Sequence, residues 1–183
     1  MAMHSIVPSR RASIKAARSV SLRSGGFILK RCGSMTISRT LIAGLRDGTI
    51  DCVATDHAPH AAEEKEVPFE QAAMGVTGLE TAFAALHTEL VLPGTIELGL
   101  LVERMAGGAE PFGLEQPTLA PGSEANVVLC DLAAEWTVGE EGYESRSENS
   151  WCAGRALTGR VLMTLAGGQV AYRLRSFSLG VAA

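Results

Sequence analysis

The apolar run Ile50-Asp51-Cys52-Val53-Ala54-Thr55 stops abruptly in Asp56-His57-Ala58-Pro59-His60, and that junction constrains the fold more than any other stretch. A short apolar run closed by polar and proline punctuation reads as a buried strand. The sequence therefore sets one carboxylate and two imidazoles at a strand's C-terminal end, where barrel enzymes keep catalytic residues. An aspartate there can ligate a metal and carry a proton, and an imidazole four residues on can hold a second ligand or an anionic substrate. The plain alternative is an N-capping aspartate followed by two surface histidines.

The flanking periodicities point to strands alternating with helices. Thr40 to Arg46 reads as a helix and Ile50 to Ala54 as a short buried strand. Thr55 to Thr77 has the composition of a long loop, a length that is uncommon unless the loop is functional. Leu79, Phe83, Leu86 and Leu90 recur at three- and four-residue spacing. They predict an amphipathic helix from Gly78 to Leu92, ended by Pro93-Gly94, with His87 beside the stripe as a helix-surface or rim residue. A second helix is predicted from about Ile96 to Met105, its row Leu98, Leu101, Val102 and Met105 packing the core. Further on, Ala125 to Asp131 is strand-like, and Arg160 to Tyr172 reads as a hairpin turned by Gly167-Gly168. Trp136 and Trp151 are expected to pack this β module. The pairs Gly107-Gly108 and Gly167-Gly168 read as a helix stop and a turn, not as phosphate cradles.

Asp47-Gly48-Thr49-Ile50-Asp51-Cys52-Val53-Ala54-Thr55-Asp56-His57-Ala58-Pro59-His60 resembles the late barrel segment of dihydroorotases. The likeness continues through Glu64-Lys65, Pro68-Phe69-Glu70 and Met74-Gly75-Val76-Thr77-Gly78-Leu79-Glu80-Thr81, then Pro111-Phe112-Gly113-Leu114 and Leu119-Ala120-Pro121-Gly122. Asp131 to Val138 and Ser147-Glu148-Asn149 through Val161 are similar to the family's closing strands, so the resemblance runs from about Thr40 to Tyr172. Allantoinases and hydantoinases share the aspartate but usually not the Asp-His-Ala-Pro-His wording.

That resemblance implies an α/β chain, the C-terminal remnant of a metal-dependent TIM-type (β/α)8 barrel followed by strands of a small β-sandwich. On this reading residues 1–39 are a basic segment without family likeness, 40–120 the last part of the barrel, 121–175 a β module and 176–183 a tail. The implied activity is reversible hydrolysis of dihydroorotate to N-carbamoyl-aspartate, a step of pyrimidine synthesis that uses one or two zinc ions. Asp56 matches the family's metal-binding, proton-shuttling aspartate, and His60 its histidine for the substrate carboxylate. Met74 and Gly75 resemble the loop that contacts the substrate ring, although the family often has Pro-Phe-Gly where Ala73-Met74-Gly75 stands. His57 matches no catalytic position and reads as structural.

A complete eight-unit barrel needs about 250 residues, more than the 183 present, so the chain reads as the tail of such an enzyme and as inactive alone. The family's early His-x-His pair does not occur. The histidines are His4, His57, His60 and His87, and of the expected metal ligands only Asp56 is present, so tight zinc binding by this chain alone is not expected. The family's C-terminal strands pair with N-terminal ones, and without those partners their edges would be prone to association. Three readings stay open: a truncated dihydroorotase, a non-catalytic dihydroorotase-like subunit scaffolding aspartate carbamoyltransferase, and a related cyclic-amide hydrolase. The partners implied are a small-molecule substrate, aspartate carbamoyltransferase or further copies of the chain, with neither nucleic acid nor membrane.

The net charge of −4 hides two opposite parts. Arg10, Arg11, Lys15, Arg18, Arg23, Lys30, Arg31 and Arg39 fall in the first 39 residues with no Asp or Glu, while all 20 acids follow. Arg- and Ser-rich, acid-free composition fits an organelle transit peptide or a basic nucleic-acid-binding arm. It also fits a segment supplied by a shifted frame or misplaced start, since Cys32 to Arg39 replaces the family's Asn-Pro-Pro-Leu-Arg stretch. Phe27 is the one aromatic there, which argues against single-strand binding. Cys32, Cys52, Cys130 and Cys152, spaced 20, 78 and 22 apart, fit neither a zinc ribbon nor a disulfide framework. Cys52 and Cys130 read as small buried hydrophobes, and a reducing, cytoplasmic compartment is expected. No 18-residue apolar run occurs.

Overall fold

The computed structural model describes residues 39–109 and 112–178, together with the backbone of three short strands before them. Expectations that fall on His4, Cys32 and Pro111 lie outside the described residues. In chain order the elements are β1 (Ser19–Ser21), β2 (Ile28–Arg31), β3 (Ser34–Ile37), α1 (Arg39–Asp47) and β4 (Cys52–Ala54). There follow α2 (Ala82–Leu86), α3 (Leu98–Ala106), β5 (Val127–Thr137), β6 (Ala156–Ala166) and β7 (Gln169–Arg173). The fold is mixed α/β with partial strand–helix alternation and open sheets. β1 pairs with β4 in parallel, β2 with β3 antiparallel, and β5, β6 and β7 form an antiparallel sheet with β6 central. No sheet among the described residues closes into a barrel.

β1 to β3 fall in the basic segment, where no apolar periodicity announced them, and β1 lies against the strand that leads into Asp56. α1 and β4 form where expected. The guanidinium of Arg104 in α3 donates to the Leu45 carbonyl at 2.8 Å, so an unsatisfied carbonyl in α1's last turn is met by a cation, as helix ends favour.

The predicted helix from Gly78 is shorter at its start and altered at its end. The Gly78 carbonyl accepts from Thr81 Oγ1 at 3.4 Å, a local side-chain bond of the kind that competes with a helical turn, and α2 begins only at Ala82. Leu79 is therefore 67% exposed and does not join the stripe. From His87 to Val91 the helix widens into a π turn, with the Leu92 N–H bonded to the His87 carbonyl at 2.9 Å. His87 is not a rim residue: it is 3% exposed, stacked on Phe83 with ring centroids 5.7 Å apart, and within 3.1 Å of the Thr158 carbonyl on β6. In α3, Leu101 is buried as expected, but Val102 faces solvent.

α2 and the turn after it separate two cores. Ala82, Leu86 and Leu90, four residues apart and thus on one face, pack with Ile96 and Leu101, with Ile42 of α1 and Val53 of β4 alongside. Ala84 and Ala85 face the other way, against Val138, Cys152 and Leu157, with Trp136, Tyr143 and Trp151 around them. Both tryptophans thus pack the β module as expected, and they pack it onto α2. β6 comes close to the π turn only because residue 159 is glycine. At φ +94° its missing Cβ would sit 3.0 Å from His87 Nδ1 and 3.3 Å from Phe83. Thr88 Oγ1 donates to the Thr158 carbonyl and accepts the Thr158 N–H, and Arg155 pairs with Glu89, which completes this seam. β5 runs six residues past the expected end at Asp131, across a register shift between Asp131 and Glu135, and Cys130 within it is only partly buried. The β6–β7 hairpin turns at Gly167-Gly168, both at positive φ, as predicted.

Candidate functional site

β4 is buried at Cys52 and delivers the chain to Asp56. Among the described residues Asp56 is the one non-glycine residue at positive φ, +50°, a left-handed conformation that Asp tolerates better than most side chains. The turn redirects the backbone at the strand's mouth and places Asp56 Oδ2 out of reach of solvent.

The following loop folds back on itself. The Ala58 N–H bonds to the Val76 carbonyl at 3.0 Å. Gly75, at φ +112°, lies so close to Ala58 that an added Cβ would be 2.6 Å from the alanine methyl, so glycine is required both for the conformation and for the approach. His60 joins the two sides. Its Nε2 donates to the Met74 carbonyl at 2.9 Å, and its Nδ1 lies 3.3 Å from Glu64 Oε2. Glu64 also accepts the Ala61 N–H at 3.0 Å. That bond first, and then the His60 ring, hold the Glu64 carboxyl below its ordinary range. The Lys65 ammonium donates to the carbonyls of Ala73 and Gly75. Asn149 Nδ2 donates to the Gly75 carbonyl at 3.1 Å from the far side.

His57 closes the loop's other end. Its Nδ1 accepts the N–H groups of Gly78 and Leu79 at 3.2 and 3.3 Å, which leaves the ring proton of the neutral form on Nε2. Of the residues singled out in the sequence, the fold therefore gathers His60, Met74 and Gly75 into one cluster, with the Met74 side chain 70% exposed beside it. Asp56 lies four residues earlier, in the half-buried turn that follows β4. Sequence reasoning gave no role to Glu64, Lys65 or Asn149. Glu64 could have been found as the i+4 partner of His60. The other two act on backbone carbonyls 8, 10 and 74 residues away, a spacing that carries no local signal.

Within Asp56 to His60, Asp56 is the one carboxylate available to a metal. Among the described residues no three His, Cys, Asp or Glu side chains come together as a metal-holding group, whereas a catalytic zinc takes three protein ligands. Both nitrogens of His60 and Nδ1 of His57 are already engaged with the protein. These residues do not fit a complete zinc centre. What the arrangement can do is hold a sheltered carboxylate at a strand end and present a histidine and a braced backbone loop beside it.

No protein-family model matches the chain. It is similar to a dihydroorotase of Chlorobaculum tepidum, 44% identical over 146 residues that make up 79% of this chain and 33% of the relative. Among solved structures it is similar to a D-hydantoinase (dihydropyrimidinase) from Thermus sp., with a TM-score of 0.67 and 27% identity over 75% of this chain and 31% of that one. It also resembles an L-hydantoinase (dihydropyrimidinase) from Arthrobacter aurescens, with a TM-score of 0.65 and 32% identity over 73% of this chain and 31% of that one. The chain spans about a third of the length of the curated relatives it matches. Homology points to the amidohydrolase superfamily of hydrolases, dihydroorotase- and hydantoinase-like, with the coverage of a partial chain.

Proposed function

We propose that the chain supplies the proton-transfer and substrate-binding end of a dihydroorotase, which interconverts dihydroorotate and N-carbamoyl-aspartate. The observation that carries this reading is Asp56 itself, a half-buried carboxylate just past the end of β4, in a left-handed backbone turn, with Oδ2 out of reach of solvent. Dihydroorotase relatives at 42–47% identity favour this substrate over others of the superfamily. In ring opening, Asp56 takes the proton of the water that attacks the ring carbonyl and returns it to the departing ring nitrogen. The His60 ring binds the substrate carboxylate, at the Nδ1 edge where Glu64 Oε2 lies 3.3 Å away in this structure. The Met74–Gly75 backbone lies against the ring. Zinc, where such an enzyme uses it, would take Asp56 as one ligand, with the rest from outside the described residues. The barrel and β-module division at residue 120 belongs to the same proposal.

A second reading, a hydantoinase-type cyclic-amide hydrolase, is favoured by the solved structures that share the fold. A hybrid tests both. When the preceding portion of a dihydroorotase relative is fused in register ahead of Thr40, we expect hydrolysis of dihydroorotate in preference to hydantoin. Asp56→Asn should lower turnover by something on the order of 10²–10⁴-fold, and His60→Ala should chiefly raise KM. Preference for hydantoin supports the second reading, and undiminished turnover in Asp56→Asn removes the assignment of Asp56.

A further inference from the structure

The loop that carries Met74 and Gly75 is held from outside its own neighbourhood. Asn149, in the stretch between β5 and β6, lies 74 residues from Gly75 in sequence, yet its Nδ2 donates to the Gly75 carbonyl at 3.1 Å. Its own carbonyl accepts the Thr77 N–H at 2.9 Å, and Ser150 beside it forms a parallel bridge with Thr77. The contact is shielded: Thr77 is 3% exposed and Ser147, whose hydroxyl accepts the Asn149 N–H at 3.3 Å, is 6% exposed.

Side chain and backbone do different things here. The bond to Thr77 uses the Asn149 main chain and survives any substitution that keeps the backbone path, whereas the Gly75 carbonyl needs a donor at position 149. The same oxygen accepts from Lys65 Nζ, so an amide and an ammonium fix it together, and its peptide cannot turn without breaking both. Gly75 at φ +112° has no side chain to lock it in place. Bonds from elsewhere must set it.

Resting on the proposed function, in which this peptide faces the substrate ring, we infer that Asn149 is a positioning residue. It touches no reacting atom, and with Lys65 it sets the direction of the Met74–Gly75 backbone beside His60. Through it the β module takes part in shaping the site.

Hydrogen exchange on the full chain tests this without any need for turnover. Asn149→Ala and the near-isosteric Asn149→Asp should each speed exchange over residues 72–77 by about fivefold to tenfold, the factor expected when one ordinary hydrogen bond is lost, with the β6 amides unchanged. Lys65→Met should do the same. The double variant should depart from the product of the two single effects, because both act on one carbonyl. Equal loosening of β6 and the loop, an unaltered loop in Asn149→Asp, or strictly multiplicative effects would each overturn the inference. A chain that never hydrolyses dihydroorotate would sink the proposed function and leave this measurement intact. In an active hybrid, Asn149→Ala should raise KM more than it lowers kcat, and equal changes in both count against positioning.

Discussion

Leu86, Leu90 and Leu101 in the helical region are 2, 3 and 1% exposed, while Val128, Leu129, Leu132 and Val170 in the β5–β6–β7 sheet are 55, 40, 42 and 59% exposed. Both regions are rich in apolar residues, but these three leucines are hidden and these four sheet residues are not. The helical side chains are enclosed because α2 is packed by α1, β4 and α3 on one face and by the β module on the other. The sheet meets α2 only near Val138, Leu157 and Gly159, and the apolar residues toward β7 remain in water. Since full burial of such a side chain is worth about 1.5–3 kcal/mol, the stability of the chain is concentrated along α2.

The sharpest way to break this contrast is to delete the same side chain on both sides. Leu86→Ala should cost about 2–5 kcal/mol in urea unfolding, the range for emptying a close-packed leucine site. Gly159→Ala probes the seam itself. Forcing a Cβ at φ +94° against His87 should cost about 1–3 kcal/mol, and a neutral result would mean that sheet and helix are not in contact as described. Leu129→Ala should stay within about 0.5 kcal/mol. A loss as large as that of Leu86→Ala would show that the sheet's apolar face is covered after all.

The smallest effect concerns pH at the loop. The Glu64 carboxyl has a folded pKa below the 4.5 of the free group, so its contribution is fully present above 4.5 and fades as pH falls through the lower folded value. Amide signals of Ala61 and Met74 should therefore shift on acidification below about pH 4.5 in the parent chain. In Glu64→Gln that step should vanish, and its persistence would assign it to another group.

Features set by neighbouring residues could be read from the sequence: α1, β4, and the Gly167-Gly168 hairpin whose turn needs positive φ. Features decided by distant partners could not. The helix predicted from Gly78 loses its first turn to bonds that His57 and Thr81 make, and the π turn at His87 accompanies a fit against Thr158 that lies 71 residues away. Nor does the basic stretch show in its residue pattern that Ser19–Ser21 lies beside β4. The site divides in the same way. Asp56 and His60 were legible as a strand-end cluster, but the braces at Lys65 and Asn149 act on carbonyl groups that every residue possesses, so their partners leave no mark in the sequence.

The alanine-lined face of α2, Ala84 and Ala85 against the sheet-side core, makes that helix a thin partition between the two cores. The loop from Asp56 hangs from its leading end through the His57 bonds to Gly78 and Leu79. A bulkier side chain at Cys152 or Leu157 would push on Ala84 and Ala85, and α2 has no long side chains on that face to absorb the strain by changing rotamer. α2 starts three residues after Leu79, so such a displacement would bear first on the two amides that hold His57.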